Sequence, residues 1–116
     1  MMNEVIKILT DAMSALSVPV IPLSADVTDD SISYRFYTTS HDGVKEQIRL
    51  EIRINTKKIS RAEEIKTLLL STLVTKGDEP RNGYLSCEVN GGGQLIDEET
   101  GLVQTIVYFT IDRKVR

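Results

Sequence analysis

Residues that could carry covalent or acid–base chemistry are few in this sequence, and none stands in a recognised catalytic arrangement. His41 is the only histidine and Cys87 the only cysteine, so a histidine-rich metal cluster and an intramolecular disulfide are both excluded. Cys87 alternates with Leu85 and Val89 as residues on one strand face do, which favours a buried thiol over a nucleophile. No serine lies in a G-x-S-x-G context. We therefore expect no enzyme activity, no catalytic residue, no metal ligand and no cofactor.

Two short motifs look like ligand loops but lack the residues that such loops need. The triplet Gly91-Gly92-Gly93 leaves a predicted strand, and neither a helix N-terminus nor a Lys-Ser/Thr pair follows it. A phosphate cradle needs both, so a bulge or a flexible hairpin tip is favoured instead. The acidic residues 97–99 lack the spacing and the glycine of a calcium loop, which predicts a solvated turn.

Alternating polar residues on one predicted strand give the strongest candidate for a binding surface. Arg49, Glu51 and Arg53 share one face of this strand, and Arg35 and Tyr37 can neighbour them across a hairpin. Basic groups beside an aromatic ring on an open sheet could bind single-stranded nucleic acid. Because Glu51 separates the two arginines, a solvated face or a protein–protein salt-bridge surface is favoured.

The last predicted strand carries apolar residues on both of its faces. Leu102, Ile106 and Tyr108 lie on the face opposite Val107 and Phe109, although a strand with one wet face should be polar there. Either the N-terminal helix covers Ile106 and Tyr108, which makes them core, or they form an exposed apolar contact site. Under the second explanation, the candidate protein interface comprises Arg35, Tyr37, Arg49, Glu51, Arg53, Ile106 and Tyr108.

Hydrophobic periodicity predicts an α+β domain with the order α-β-β-α-β-β. Helical spacing covers residues 3–16, with Asn3 as N-cap, and residues 60–76, from a Ser60–Glu63 capping box to Lys76-Gly77. Strands are predicted at 32–39, 47–54, 84–89 and 102–112, and the proline-containing segment 18–23 is an extended edge piece. A four-stranded antiparallel or mixed sheet packed with two helices follows. Its predicted core comprises Ile48, Leu50, Ile52, Ile54, Ile65, Leu69, Leu73, Val107, Phe109 and Ile111.

The composition is that of one soluble globular domain spanning residues 1–116. Apolar residues make up 41% and charged residues 27% of the chain, the usual balance for such a domain. A formal charge of −3 excludes a basic nucleic-acid footprint over the whole domain. No apolar run reaches the roughly 18 residues of a membrane span, and no basic leader precedes the first helix. The single cysteine fits a reducing, intracellular compartment.

The order of these features resembles a known family. The features are a short N-terminal helix, a proline-punctuated segment at 18–22, an aromatic strand at 33–37 and a strand after a polar turn at 47–54. A helix that starts at Ser60 follows, and the chain closes with an acidic turn at 97–101 and a strand with Phe109 near its end. This pattern covers nearly the full chain and resembles the small tail-terminator, or tail-completion, proteins of long-tailed bacteriophages and prophages. Those proteins are also called minor capsid or head–tail joining proteins.

The resemblance implies a structural virion protein without catalysis. Proteins of that family resemble subunits that form a ring, typically sixfold. The ring caps the tail tube, ends its polymerisation and presents a face to the head connector. The implied partners are other copies of the chain, the tail-tube protein and a head connector or completion protein, with DNA passing through the ring lumen at most. The implied location is the tail end or neck of the virion, and the host cytoplasm before assembly. The alternative is a small ligand-binding or regulatory α+β module, which would need a concave apolar pocket.

Overall fold

Over the residues that the structure describes, the protein folds as two helices on one mixed, five-stranded sheet, which confirms the α+β class and corrects the predicted number of four strands. The computed structural model describes residues 2–22, 30–41, 43, 45–74, 86–98 and 100–114. Strand β1 runs parallel to β2, every other pairing is antiparallel, and the sheet order is β1-β2-β3-β5-β4. The elements along the chain are α1 Met2–Ser14, β1 Val20–Pro22, β2 Ser31–His41, β3 Lys45–Thr56, α2 Ile59–Leu73, β4 Ser86–Ile96 and β5 Val103–Lys114.

The additional strand, β1, lies within the segment that the sequence predicts to be an extended edge piece. Val20 pairs with Ile32, and Pro22 pairs with Tyr34 at the outer edge of the sheet. The backbone N–H of Ile32 also donates to the carbonyl oxygen of Pro19, over 2.9 Å. A strand of three residues is too short to show an alternating pattern, so periodicity cannot distinguish it from a loop.

Both helices pack on the same face of the sheet, here called the helix face. All of the predicted core residues are buried there, together with Val5, Leu9 and Met13 of α1 and Ile32 of β2. On β3 the even-numbered residues point to this face and the odd-numbered residues point away from it. The opposite side, here called the open face, carries Ser31, Ser33, Arg35, Tyr37, Arg49, Glu51, Arg53, Asn55, Ile106 and Tyr108.

Helix α1 begins and ends differently from the prediction. It begins at Met2, so Asn3 lies inside the helix and is not its N-cap. At its other end the N–H groups of Ser17 and Val18 donate to the carbonyl oxygens of Ser14 and Met13, each over 3.1 Å. Ser17 has a φ of 56°, which completes a Schellman motif without glycine. The helix therefore stops at Ser14, two residues before the predicted end.

The capping box predicted for α2 is wrong. The N-cap is Lys58, without a side-chain cap hydrogen bond, and Ser60 already lies inside the helix. The preceding turn explains the earlier start, because the Thr56 hydroxyl donates to the carbonyl oxygen of Lys58 over 2.9 Å. The backbone N–H of Lys57 donates to an oxygen of the Asp30 carboxylate, which holds the same turn. The helix ends at Leu73, and the predicted cap at Lys76-Gly77 falls outside the described residues.

Strand β4 continues through the glycine triplet, where the sequence predicts an interruption. The register of β4 against β5 shifts between Val89 and Gly92, so the bulge alternative is confirmed and the hairpin-tip alternative is wrong. Gly91 has a φ of +97°, and a Cβ added to Gly92 would overlap the backbone oxygen of Ile106. These two positions therefore need glycine for reasons of backbone geometry.

Candidate functional site

The open face brings together every residue of the interface predicted from the sequence. The register makes direct neighbours of residues that are far apart in the chain, and each pair lies on the same face. These pairs are Arg35 with Glu51, Glu51 with Tyr108, Tyr37 with Arg49, and Arg53 with Ile106. The candidate site is therefore one continuous surface across the three central strands β2, β3 and β5.

Glu51 is the centre of an ion-pair network on this surface. One carboxylate oxygen accepts a hydrogen bond from Arg35 over 2.6 Å, and the other accepts one from Arg53 over 2.7 Å. Although neither of the two described helices covers the open face, the side chain of Glu51 is only 1% exposed, whereas those of Arg35 and Arg53 are 55% and 33% exposed. The two guanidinium groups thus bury the carboxylate while each keeps part of its own surface in water.

The network keeps Glu51 ionised. Burial raises the pKa of Glu51, but the hydrogen bonds from Arg53 and Arg35 lower it further than burial raises it, so the net pKa lies below its ordinary value. The same hydrogen bond and charge attraction raise the pKa of Arg35. Glu51 and Arg35 are therefore both charged around neutral pH.

Tyr108 and Arg49 form the second contact of the site. The guanidinium carbon of Arg49 lies 4.4 Å from the centre of the Tyr108 ring, in cation–π geometry. The Nε atom of Arg49 is buried and has no hydrogen-bond partner in the described part of the chain. Tyr108 and Ile106 are half-buried on the face opposite both helices. The explanation in which the N-terminal helix covers these two residues is therefore wrong. Leu102, predicted to share their face, precedes β5 and is buried, so it is not part of an exposed patch.

A buried polar cluster that the sequence analysis missed limits the open face at one end. Asn55 is 1% exposed, and its amide nitrogen donates to the hydroxyl oxygens of Ser33 and Ser31 over 3.0 and 3.4 Å. The sequence pattern already placed Asn55 on the open face, because it continues the odd-numbered polar series of Arg49, Glu51 and Arg53. The amide oxygen of Asn55 is buried and lacks a partner among the described residues.

The glycines of β4 border the open face on its other side. Gly93 is the direct neighbour of Ile106, and a Cβ added to it would meet nothing within 4 Å. A Cβ added to Gly91 would lie 3.9 Å from the Tyr108 ring. Among the described residues, the parts of β4 directly beside Ile106 and Tyr108 are therefore glycines, which leaves room for a partner to approach these two side chains.

A groove on the helix face is a second concave feature. It lies between α2 and the bulged part of β4 and has a volume of about 460 Å³. Val89, predicted to be buried in phase with Cys87, lines this groove and is 48% exposed, whereas Cys87 is fully buried. The difference arises because neither helix closes the space beside the bulge. The groove is lined by Glu63, Lys66, Val89, Gly91, Gly92, Gly93, Gln94, Thr105, Ile106 and Val107.

The described residues contain neither a cluster of metal-binding side chains nor a helix suited to crossing a membrane. No group of three or more histidine, cysteine, aspartate or glutamate side chains in that part of the chain is placed to hold a metal ion. None of the helices, within the ranges described, combines the length and the apolar character that crossing a membrane requires.

Comparison with known proteins gives a similarity of fold. No protein-family model matches this chain, and no curated protein matches it. A chain from the solved structure of the virion of a native gene transfer agent (GTA) particle is similar, with a TM-score of 0.58 and 8% sequence identity. The similarity covers 89% of this chain and 84% of that chain. The two chains therefore share a fold over most of their lengths.

Proposed function

We propose that this chain is a structural virion protein of a phage-like particle, and more specifically a tail terminator. The observation that carries the proposal is the fold shared with a virion chain over 89% of the present sequence. A gene transfer agent particle is phage-like, which agrees with the sequence resemblance to tail-completion proteins. On this proposal, copies of the chain form a ring, typically a hexamer, that caps the tail tube, stops its polymerisation and joins it to the head connector.

The open face suits such a role because its chemistry is that of a protein interface. Arginine and tyrosine are enriched in the centres of interfaces, where they contribute most of the binding energy. Arg35 and Arg53 are held in place by Glu51, and Arg49 by the Tyr108 ring, so little side-chain freedom remains to be lost on binding. We assign to this face the contact with a neighbouring ring subunit, the tail-tube protein or the connector.

The rest of the proposal follows from that structural role. A closed ring requires two different surfaces on each subunit, an accurate fit between them and no reaction chemistry. The protein therefore acts without an enzyme activity or a cofactor, contacts no membrane, and meets DNA only as it passes through the ring lumen. It is located at the tail end or neck of the virion, and in the host cytoplasm before assembly.

The proposal is tested by electron microscopy of particles assembled without this chain. We expect tails of uncontrolled length and heads without tails, and we expect purified wild-type protein to restore joined particles. Tyr37→Glu places a charge on the open face, where Tyr37 is 43% exposed, and should abolish the restoration. Ile59→Glu is the matched control, because Ile59 is 56% exposed at the start of α2 and lies off the open face. Normal particles in the absence of the chain would contradict the proposal.

The groove supports a second candidate function, that of a small ligand-binding or regulatory module. Its volume of about 460 Å³ lies in the range of small-molecule sites. It is open at the bulge, and among the described residues that line it only Glu63 and Lys66 are charged. Chemical-shift changes confined to groove residues on addition of a small molecule, with the open face unaffected, would favour this candidate.

A further inference from the structure

The two edges of the sheet differ in how well they are protected against pairing with another chain. At one edge, β1 has only three residues, ends at Pro22 and follows Pro19. Short length and proline are the usual devices that prevent edge-to-edge association. At the other edge, β4 has eleven residues, contains no proline or lysine, and carries Glu88 as its only charge. Among the described strands, β4 pairs with β5 alone.

Strand β4 also exposes an unusual amount of apolar surface. Val89, Leu95 and Ile96 are 48%, 49% and 67% exposed, and Ile96 is the most exposed of the large apolar residues described. Gly92 and Gly93, which have no side chains, precede Leu95 and Ile96 in the strand, with Gln94 between the two pairs. Over residues 92–96, no described strand pairs with the outer edge of β4, and an apolar edge of this kind is a template for another strand.

The alternation of large and small residues makes this edge complementary to itself. Suppose that a second copy pairs antiparallel with β4, with Gln94 opposite Gln94. Gly92 then lies opposite Ile96 of the second copy, and Gly93 lies opposite Leu95. Directly opposed residues share a face, and the faces agree, since Gly92 and Ile96 both lie opposite buried residues of β5, Val107 and Val103. No like charges meet in this register, because residues 92–96 are uncharged.

The groove provides the space that this arrangement needs. Gly92 lines the groove on the helix face. Ile96 of the second copy would be the cross-strand neighbour of Gly92, with its side chain on the same face. Its side chain can therefore enter the space beside Val89 and be removed from water. The same contact forms twice, because the arrangement has a two-fold axis that passes between the two Gln94 residues.

We propose that β4 of the free protein pairs with β4 of a second copy, antiparallel about Gln94, with Ile96 of each copy seated in the groove of the other. The pairing extends the sheet from five to ten strands. A ring made of one repeated head-to-tail contact has no two-fold axis between neighbours. The dimer is therefore a form of the free protein that opens before ring assembly, and it stands or falls independently of the tail-terminator proposal.

The first test is sedimentation of the full chain over about a hundredfold range of concentration. Wild-type protein should shift from monomer to dimer as its concentration rises. Ile96→Lys should weaken association about tenfold or more, because the ammonium group would lose its water on entering the groove. Ile59→Lys is the matched control, because Ile59 is an exposed isoleucine like Ile96 but lies on α2, and it should leave the dimer intact.

The second test fixes the register by disulfide trapping. Opposed Cα atoms in an antiparallel pair are about 4.5–5.5 Å apart, which is within the range of a disulfide. Gln94→Cys should therefore form a cross-linked dimer on mild oxidation. Glu98→Cys, exposed in the turn after β4, should not. The native Cys87 is fully buried and does not compete.

Two results would overturn the proposal. One is a wild-type chain that remains monomeric across the whole concentration range. The other is an oligomer that survives Ile96→Lys and whose Gln94→Cys variant does not cross-link, which would place the contact elsewhere. Neither result bears on whether particles without the chain lose their tails, so the two proposals fail separately.

Discussion

The two faces of the sheet are built from the same strands, yet their side chains are shielded from water by different interactions. On β3, Leu50 and Ile52 are buried by the helices, while Glu51 between them is just as buried on the face that no helix covers. The first two exclude water by packing against apolar neighbours, and Glu51 does so by attracting two arginines that are themselves partly in water. The helix face therefore supplies stability, and the open face supplies a rigid charged surface at a smaller net gain.

The largest difference between the faces should appear when one apolar side chain is shortened on each. Leu69→Ala on α2 removes a fully buried side chain and should lower the free energy of unfolding by about 2–5 kcal/mol. Ile106→Ala on the open face should cost about 1–1.5 kcal/mol, since Ile106 is only half-buried. Urea titration of both variants measures the difference. Equal losses would mean that the open face contributes as much to the core as the helix face.

Two adjacent glycines extend the comparison to the backbone, since Gly92 lies on the helix face and Gly93 on the open face. A Cβ at Gly92 would overlap the backbone oxygen of Ile106, so Gly92→Ala must displace β4 from β5 and should cost about 2–3 kcal/mol. Gly93→Ala has free space and should change stability by less than about 0.5 kcal/mol. Thermal unfolding of the pair checks this, and a stable Gly92→Ala would show that the bulge accommodates a side chain.

The ion pairs of the open face should make stability depend on pH. The pKa of Glu51 is lowered in the folded state, so its contribution is fully present above the ordinary value of 4.5 and is lost as pH falls through the lower folded pKa. Glu51→Gln should cost about 1–3 kcal/mol at pH 7, because it leaves a buried amide facing two arginines. The difference between wild type and variant should shrink as the pH falls below 4.5. A difference that is constant from pH 7 to about pH 3 would contradict the assigned network.

The sequence predicts which face of the sheet each residue occupies better than it predicts where the helices and strands begin and end. Strict alternation along β3 and the helical spacing of α2 assign each core residue correctly, because burial selects one face of every element. The same alternation places the predicted interface residues on one surface. It does not reveal that Glu51 is buried, since that depends on a register that joins Arg35, Glu51 and Tyr108 across three strands.

Element ends depend on local contacts that periodicity does not contain. Ser60 and Glu63 have the spacing of a capping box, but the Thr56–Lys58 turn and its bond from Lys57 to Asp30 start α2 earlier. The glycine triplet predicts a strand break because glycine is rare within strands. In the structure, it is what allows β4 to pass close to the backbone of β5.

The last prediction concerns α1, the helix that covers the β1–β2 side of the helix face, and its two substitutions should act in opposite directions. Ser17 has a φ of 56°, a region where an L-residue is strained and glycine is not. Ser17→Gly should therefore raise the free energy of unfolding by about 0.5–1 kcal/mol. Ser14→Gly should lower it by about 0.5–1 kcal/mol, because Ser14 is helical and glycine costs entropy there. Calorimetry that finds both substitutions destabilising would mean that Ser17 does not hold the left-handed conformation, and that α1 ends without the Schellman motif that fixes it against the sheet.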